Sequence, residues 1–124
     1  MEVSSIDLLK TRANEDDIKE IEKALKLMEA SVQDIVAYTR ADYQFHYAIV
    51  CASKNKIFIE IMNHNEKLFL NYLEFQNRRK ETKNFSYSIE NHKAIYKAIA
   101  GGEYQKAKEL LNNSYIRNIK RLYN

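Results

Sequence analysis

The stretch Ile35-Val36-Ala37-Tyr38-Thr39-Arg40-Ala41-Asp42-Tyr43-Gln44-Phe45-His46-Tyr47-Ala48-Ile49-Val50-Cys51-Ala52 decides the fold. Ile35, Tyr38, Phe45, Ile49 and Ala52 recur at the spacing of a single helix face, and Asn55 after Ser53 marks a stop. Asp42 and His46 stand four residues apart, which stacks their side chains on one face together with Phe45 and Ile49. A carboxylate and an imidazole turned toward an interior are costly unless something satisfies them. The segment is therefore both a core helix and the carrier of a candidate site.

Upstream, Asn14 precedes Glu15, Asp16 and Asp17 in the manner of a helix cap, and Ile18, Ile21, Leu25 and Met28 continue as an apolar stripe to Ala30. Before it, Val3, Ile6, Leu8 and Leu9 read as a short helical remnant with too few turns to stand without neighbours. Downstream, one long helix is expected from about Ile57 to Arg79, with Ile57, Ile61, Leu68, Tyr72 and Phe75 as its buried stripe. A loop is expected at Lys80 to Lys83. Ser86 or Ser88 then caps a helix bearing Ile89, Ile95, Tyr96 and Ile99, which Gly101 and Gly102 terminate as a left-handed C-cap would. A last helix is expected from about Glu103 to Leu122.

Proline is absent and the chain's two glycines are adjacent, so the breakers that punctuate β-rich folds are nearly missing. With 124 residues and no linker or low-complexity tract, residues 1–124 are expected to form a single all-α domain. Its architecture is an antiparallel bundle of about six helices, because short connections turn neighbouring helices back on one another. No apolar run approaches the roughly 20 residues that a membrane span requires. The lone Cys51 excludes an internal disulfide framework and is expected in the core of a cytoplasmic protein.

The net charge of +3 arises from 20 basic and 17 acidic residues of interspersed sign, which does not make the basic face of a nucleic-acid binder. Arg78, Arg79 and Lys80, and later Arg117, Lys120 and Arg121, fall near helix C-termini, where cations complement the helix dipole.

His92 repeats the inward pattern of Asp42 and His46 on another helix, flanked on its face by Ile89, Ile95 and Ile99. Asp and His are suitable ligands for Zn²⁺, Ni²⁺ or Mn²⁺, and three protein ligands leave a position open for water or an anion. On spacing alone, a metal-free network in which Asp42 pairs with His46 explains the same residues. His64 lies among Asn63, Asn65 and Glu66 and reads as surface. There is no His-Glu-x-x-His run, no phosphate loop and no Gly-x-Ser-x-Gly elbow. A metal-dependent hydrolase would also need a general base, and Glu90, two residues before His92, should face away.

Taken together, these residues resemble the effector-binding C-terminal domain of FadR-type regulators within the GntR class of bacterial transcription factors. Asp42-Tyr43-Gln44-Phe45-His46 is similar to that family's D-x-x-F-H motif, and Ala52-Ser53-Lys54-Asn55 to its A-S-x-N helix end. His92-Lys93-Ala94-Ile95, Ala98-Ile99, Gly102-Glu103 and Ala107 resemble its H-x-x-I-x-x-A-I-x-x-G-D-x-x-x-A pattern, with Glu103 for the usual Asp. Thr11-Arg12-Ala13 before Glu15 and Asp16 resembles the start of its second helix.

The resemblance implies a bundle whose central cavity binds a small organic acid, often through a divalent metal held by one Asp and three His. Asp42, His46 and His92 match three of those ligands. The fourth would fall 22 positions after His92 (114 minus 92), where this chain has Ser114, a poor ligand for a borderline metal. Two outcomes stay open: a metal completed by water at the Ser114 corner, or a ligand pocket without metal. The family carries a winged-helix DNA-binding domain and a full first helix ahead of the segment that begins here. This chain is thus expected to be a ligand-sensing domain with a truncated first helix, homodimeric, with no operator binding of its own. A purely structural or dimerising module that has lost its ligand is the alternative.

Overall fold

The computed structural model describes residues 2–79 and 85–123, with side chains on the last helix described through residue 114. These residues form seven helices and no strand: α1 (Glu2–Arg12), α2 (Glu15–Ala30), α3 (Ile35–Ala52), α4 (Lys56–His64), α5 (Glu66–Arg78), α6 (Ser86–Ala100) and α7 (Tyr104–Tyr123). None of the described helices is long and apolar enough to cross a membrane. The loop expected at Lys80 to Lys83 and the side chains of Arg117, Lys120 and Arg121 lie outside the described residues.

Helix α3 is the axis of the molecule, touched by α1, α2, α4 and α5, while α7 packs on α6 and α1. Its N-cap, Asp34, accepts from the amides of Val36 and Ala37 and satisfies two donors the first turn cannot use internally. Helix α2 opens on a reciprocal capping box between Asn14 and Asp17, both bonds 2.9 Å long. The apolar stripes of these helices meet in one cluster, in which Ile6, Leu9, Ile21, Met28, Tyr38, Phe45 and Ile49 are wholly buried. The remnant expected around Val3 to Leu9 is a helix of 11 residues, stabilised by this packing despite its length.

The end of α6 shows why the two glycines are adjacent. Glu103 N–H donates to Ala98 C=O at 2.7 Å and Gly102 N–H to Ile99 C=O at 3.1 Å, the paired bonds of a Schellman turn. Gly102 occupies the left-handed region, φ 77°, that this turn requires. The start of α6 differs from expectation: Phe85 is the capping residue, and among the described residues no side chain caps the first turn. Phe85 instead stacks on Tyr38 with ring centroids 3.9 Å apart, so packing across to α3 sets where the helix begins.

The expected long helix from Ile57 to Arg79 is two helices broken at Asn65, whose side-chain amide donates to Ile61 C=O at 2.8 Å and closes α4. The buried face lies one residue on from the expected stripe in both helices: Ile57, Ile61, Leu68, Tyr72 and Phe75 are exposed, and Phe58, Met62, Phe69, Leu70 and Leu73 turn inward onto Tyr43 and Val50.

Candidate functional site

Asp42 and His46, one turn apart on α3, meet His92 from α6. Asp42 Oδ1 lies 3.0 Å from His46 Nε2, one helical turn away on α3, and 3.0 Å from His92 Nε2 on α6. One ligand atom from each of the three falls within 4.8 Å of the others. Asp42 and His92 are buried and His46 is nearly so. Phe45 sets its ring edge-on to both imidazoles, with centroids 5.6 Å from His46 and 4.7 Å from His92, and walls the cluster from water.

The far nitrogen of each imidazole is also held. His92 Nδ1 lies 2.6 Å from Ser88 C=O, one turn earlier on α6. His46 Nδ1 donates to Glu2 Oε2 at 2.6 Å, a contact that joins the first turn of α1 to the middle of α3. Outer partners of this kind fix the ring orientation and direct both Nε2 atoms to one point. Asn77 on α5 donates to Thr39 Oγ1 at 3.0 Å and lies 3.5 Å from Asp42 Oδ2, so the carboxylate is contacted from three helices, α3, α5 and α6, while α1 reaches it only through His46.

Electrostatics follow from this geometry. Burial acts to raise the Asp42 carboxyl, but the bonds from His46 and His92 outweigh it and hold the group well below the usual carboxylate range. Burial acts to lower His46, yet the Glu2 charge and the Asp42 bond prevail and raise it to about 10. His46 is thus an imidazolium clasped between two carboxylates. Tyr38 is pushed above its ordinary value chiefly by burial, and its hydroxyl donates to Ser88 Oγ at 2.8 Å, which braces the turn that holds His92.

Beside the cluster, on the Nδ1 side of His46, lies a cavity of about 560 Å³ lined by Glu2, Tyr43, His46, Met62, Leu68, Phe69, Tyr72 and Leu73. The volume is within the usual range for small-molecule sites, roughly 300–1,000 Å³. Gln76, on the next turn of α5, is 2% exposed, and neither end of its amide has a hydrogen-bond partner among the described residues.

The structure also places the remaining positions singled out by sequence. Ser114 is half-buried on α7, and among the described residues no hydrogen bond joins it to Asp42, His46 or His92. His64 is exposed, as expected. Cys51 is only half-buried rather than in the core, because it follows Val50 around the helix to the margin of the second apolar cluster. Glu90 faces solvent and pairs with Lys93 at 3.7 Å, away from the cluster.

Sequence reading missed Glu2, Thr39 and Asn77. A signal was present for two of them: Glu2 stands on the stripe of Ile6 and Leu9, and Asn77 on the stripe of Leu70 and Leu73.

Comparison with known proteins supplies the family. Residues 1–116 match the family described as FCD domain. Over 115 residues the chain is 30% identical to the HTH-type transcriptional regulator LutR of Bacillus subtilis (strain 168), a match covering 86% of this chain and 50% of that protein. The chain thus spans about half the length of this relative. Since the family match runs from α1 into α7 and takes in every residue of the cluster, this chain belongs to the FCD domain family.

Proposed function

We propose that this chain is the ligand-sensing part of a GntR-type transcription regulator, in which a small organic acid binds inside the bundle and biases a DNA-binding domain carried elsewhere in the protein. The observation that carries the reading is the juxtaposition of a buried Asp-His-His cluster with a cavity of about 560 Å³ sharing His46. The space opens to solvent along Leu68 and Tyr72, which gives a ligand a way in to His46 at its inner end.

The cluster also fits a divalent metal. Its donors are two imidazole nitrogens and one carboxylate oxygen, the set preferred by Zn²⁺, Ni²⁺ or Mn²⁺, and both far nitrogens already have their outer partners. Asp42, His46 and His92 would hold the ion through Oδ1 and the two Nε2 atoms, with the ion replacing the proton that His46 Nε2 shares with Asp42 in the metal-free protein. Bound there, it would supply a positive centre with open positions for a carboxylate. Ser114 in place of a fourth histidine leaves any remaining corner to water or to the effector.

For sensing, the ligand must bind one arrangement of the helices better than another, because equal affinity shifts no equilibrium. Helix α1 is the natural lever, being tied to α3 by the Glu2–His46 bond and packed against α7. Thermal unfolding should be followed with a panel of organic acids, each with and without added Zn²⁺, Ni²⁺ or Mn²⁺. A ligand at one hundred times its Kd stabilises by about 2.7 kcal/mol, which is readily measured. If no acid and no metal raises the midpoint, the sensor reading is wrong.

A further inference from the structure

The two sides of His46 differ in kind. Its Nε2 faces Asp42 and the metal-type cluster, whereas its Nδ1 faces Glu2 and the cavity. Apart from Glu2 and His46, the cavity wall is apolar or aromatic: Tyr43, Met62, Leu68, Phe69, Tyr72 and Leu73. Among the described lining residues, Glu2 and His46 are the ionisable pair, joined at 2.6 Å, and the Tyr43 and Tyr72 hydroxyls are the other polar side-chain groups.

Resting on the reading of this chain as a sensor, we propose that the cavity takes a monocarboxylate with an apolar body, whose carboxylate displaces Glu2 from His46 Nδ1 and so releases the first turn of α1. The head-group chemistry is set by His46. With Nε2 turned to Asp42, the ring is oriented so that Nδ1–H points at Glu2, where the carboxylate of a ligand can take over the same bond. A cationic head offers no acceptor to this N–H, and a neutral head makes a weaker bond than a carboxylate does.

The body is set by the wall. An acid of three or four atoms would leave most of the apolar lining wet, whereas a chain or ring lying along Phe69, Leu73 and Met62 removes it from water.

Displacement follows because two carboxylates cannot share one N–H at close range without repulsion. Glu2 is the residue able to yield, since its carboxylate reaches His46 at the end of a long side chain whose rotamers can carry it away from Nδ1 without moving α3. In effect the chain carries its own stand-in for the effector's carboxylate. Because the exchange occurs at Nδ1, it does not require a metal at Nε2.

The test is calorimetric titration of the chain with octanoate, octylamine and lactate, in chelator and again after Zn²⁺ loading, on wild type and Glu2→Gln. Octanoate should bind one to one in chelator, and octylamine should not bind. Glu2→Gln replaces a charged competitor with a neutral one and should tighten octanoate binding about tenfold. Amide exchange at residues 2–12 should quicken when octanoate is added to wild type, and should already be quick in the variant. Should Glu2→Gln prove unstable, Glu2→Asp, whose shorter arm reaches His46 poorly, should tighten binding in the same direction. Unchanged or weaker octanoate affinity in these variants, or binding of octylamine instead, overturns the proposal. Binding of lactate alone, and only with Zn²⁺, removes the displacement idea while leaving the sensor reading intact. No binding of either acid under either condition removes both.

Discussion

Replacing Asp42 by asparagine keeps the shape of the side chain and deletes its charge, which isolates what the shared carboxylate contributes. In the native cluster Asp42 Oδ1 lies 3.0 Å from both His46 Nε2 and His92 Nε2, and Oδ2 lies 3.5 Å from Asn77 Nδ2. Asparagine can offer its one oxygen to the imidazoles, but its amide nitrogen then stands in the place of Oδ2 and opposes Asn77 donor to donor. His46 loses one of its two carboxylates while remaining buried. Removing one partner of a buried, hydrogen-bonded charge pair costs about 3–5 kcal/mol, against a total for domains of roughly 5–15 kcal/mol. Urea unfolding at pH 6 should therefore show a midpoint lowered by a large fraction, with the slope unchanged if the unfolded state is the same.

The pH dependence gives an independent check on the same charges. Asp42 in the folded state lies below its ordinary 3.8, so its contribution is present above that value and is lost as pH falls. His46 is raised from 6.5 to about 10, so its contribution is full below 6.5 and fades as pH climbs toward 10. Metal-free protein should thus be most stable between about pH 4 and pH 6.5 and lose stability steadily on the alkaline side. An Asp42→Asn cost below about 1 kcal/mol, no more than an exposed ion pair is worth, or wild-type stability that is flat from pH 6.5 to 10, would refute the argument.

Ser114→His should restore a nitrogen donor at the corner implied by the family pattern and tighten Zn²⁺ binding at least tenfold in calorimetry; unchanged affinity would show that α7 does not turn this position toward the cluster. Gly102→Ala should cost about 1–2 kcal/mol, because Gly102 holds φ 77° while an added Cβ meets nothing within 4 Å. Thermal melts would check this, and a neutral result would mean that the Schellman turn re-forms with an ordinary backbone.

The sequence and the structure agree where one helix face carries one unambiguous stripe. The bounds of α3 follow from Ile35, Tyr38, Phe45, Ile49 and Ala52, all of which pack inward. The region from Ile57 to Arg79 holds so many apolar residues that two stripes of similar quality can be drawn through it. The one formed by Ile57, Ile61 and Leu68 and the one formed by Phe58, Met62 and Phe69 have the same spacing, so periodicity cannot choose between them and packing on Tyr43 and Val50 of α3 buries the second. Nothing in the spacing reveals that Asn65 will turn its amide back on Ile61 instead of continuing the helix.

The same division runs through the site. Asp42, His46 and His92 were legible because a polar residue inside an apolar repeat stands out, especially when it is a histidine. Glu2 and Asn77 occupy equivalent places, but a glutamate near a helix start reads as a dipole complement and an asparagine near a helix end as a cap. Their roles depend on α1 and α5 lying against α3, which is tertiary information. The cavity was beyond sequence reading altogether, since its walls come from four helices, α1, α3, α4 and α5.

The bonds that assemble the cluster span large distances along the chain: 44 residues from Glu2 to His46, 50 from Asp42 to His92 and 35 from Asp42 to Asn77. Helices form quickly from local contacts, whereas such closures wait until the intervening segments have been arranged. During synthesis, Asp42 stays without His92 until α6 has left the ribosome, so a partly made chain can be richly helical and still lack the cluster. On the sensor reading proposed above, competence to bind a ligand would arrive with the last steps of folding, and a truncated or misassembled copy would have none.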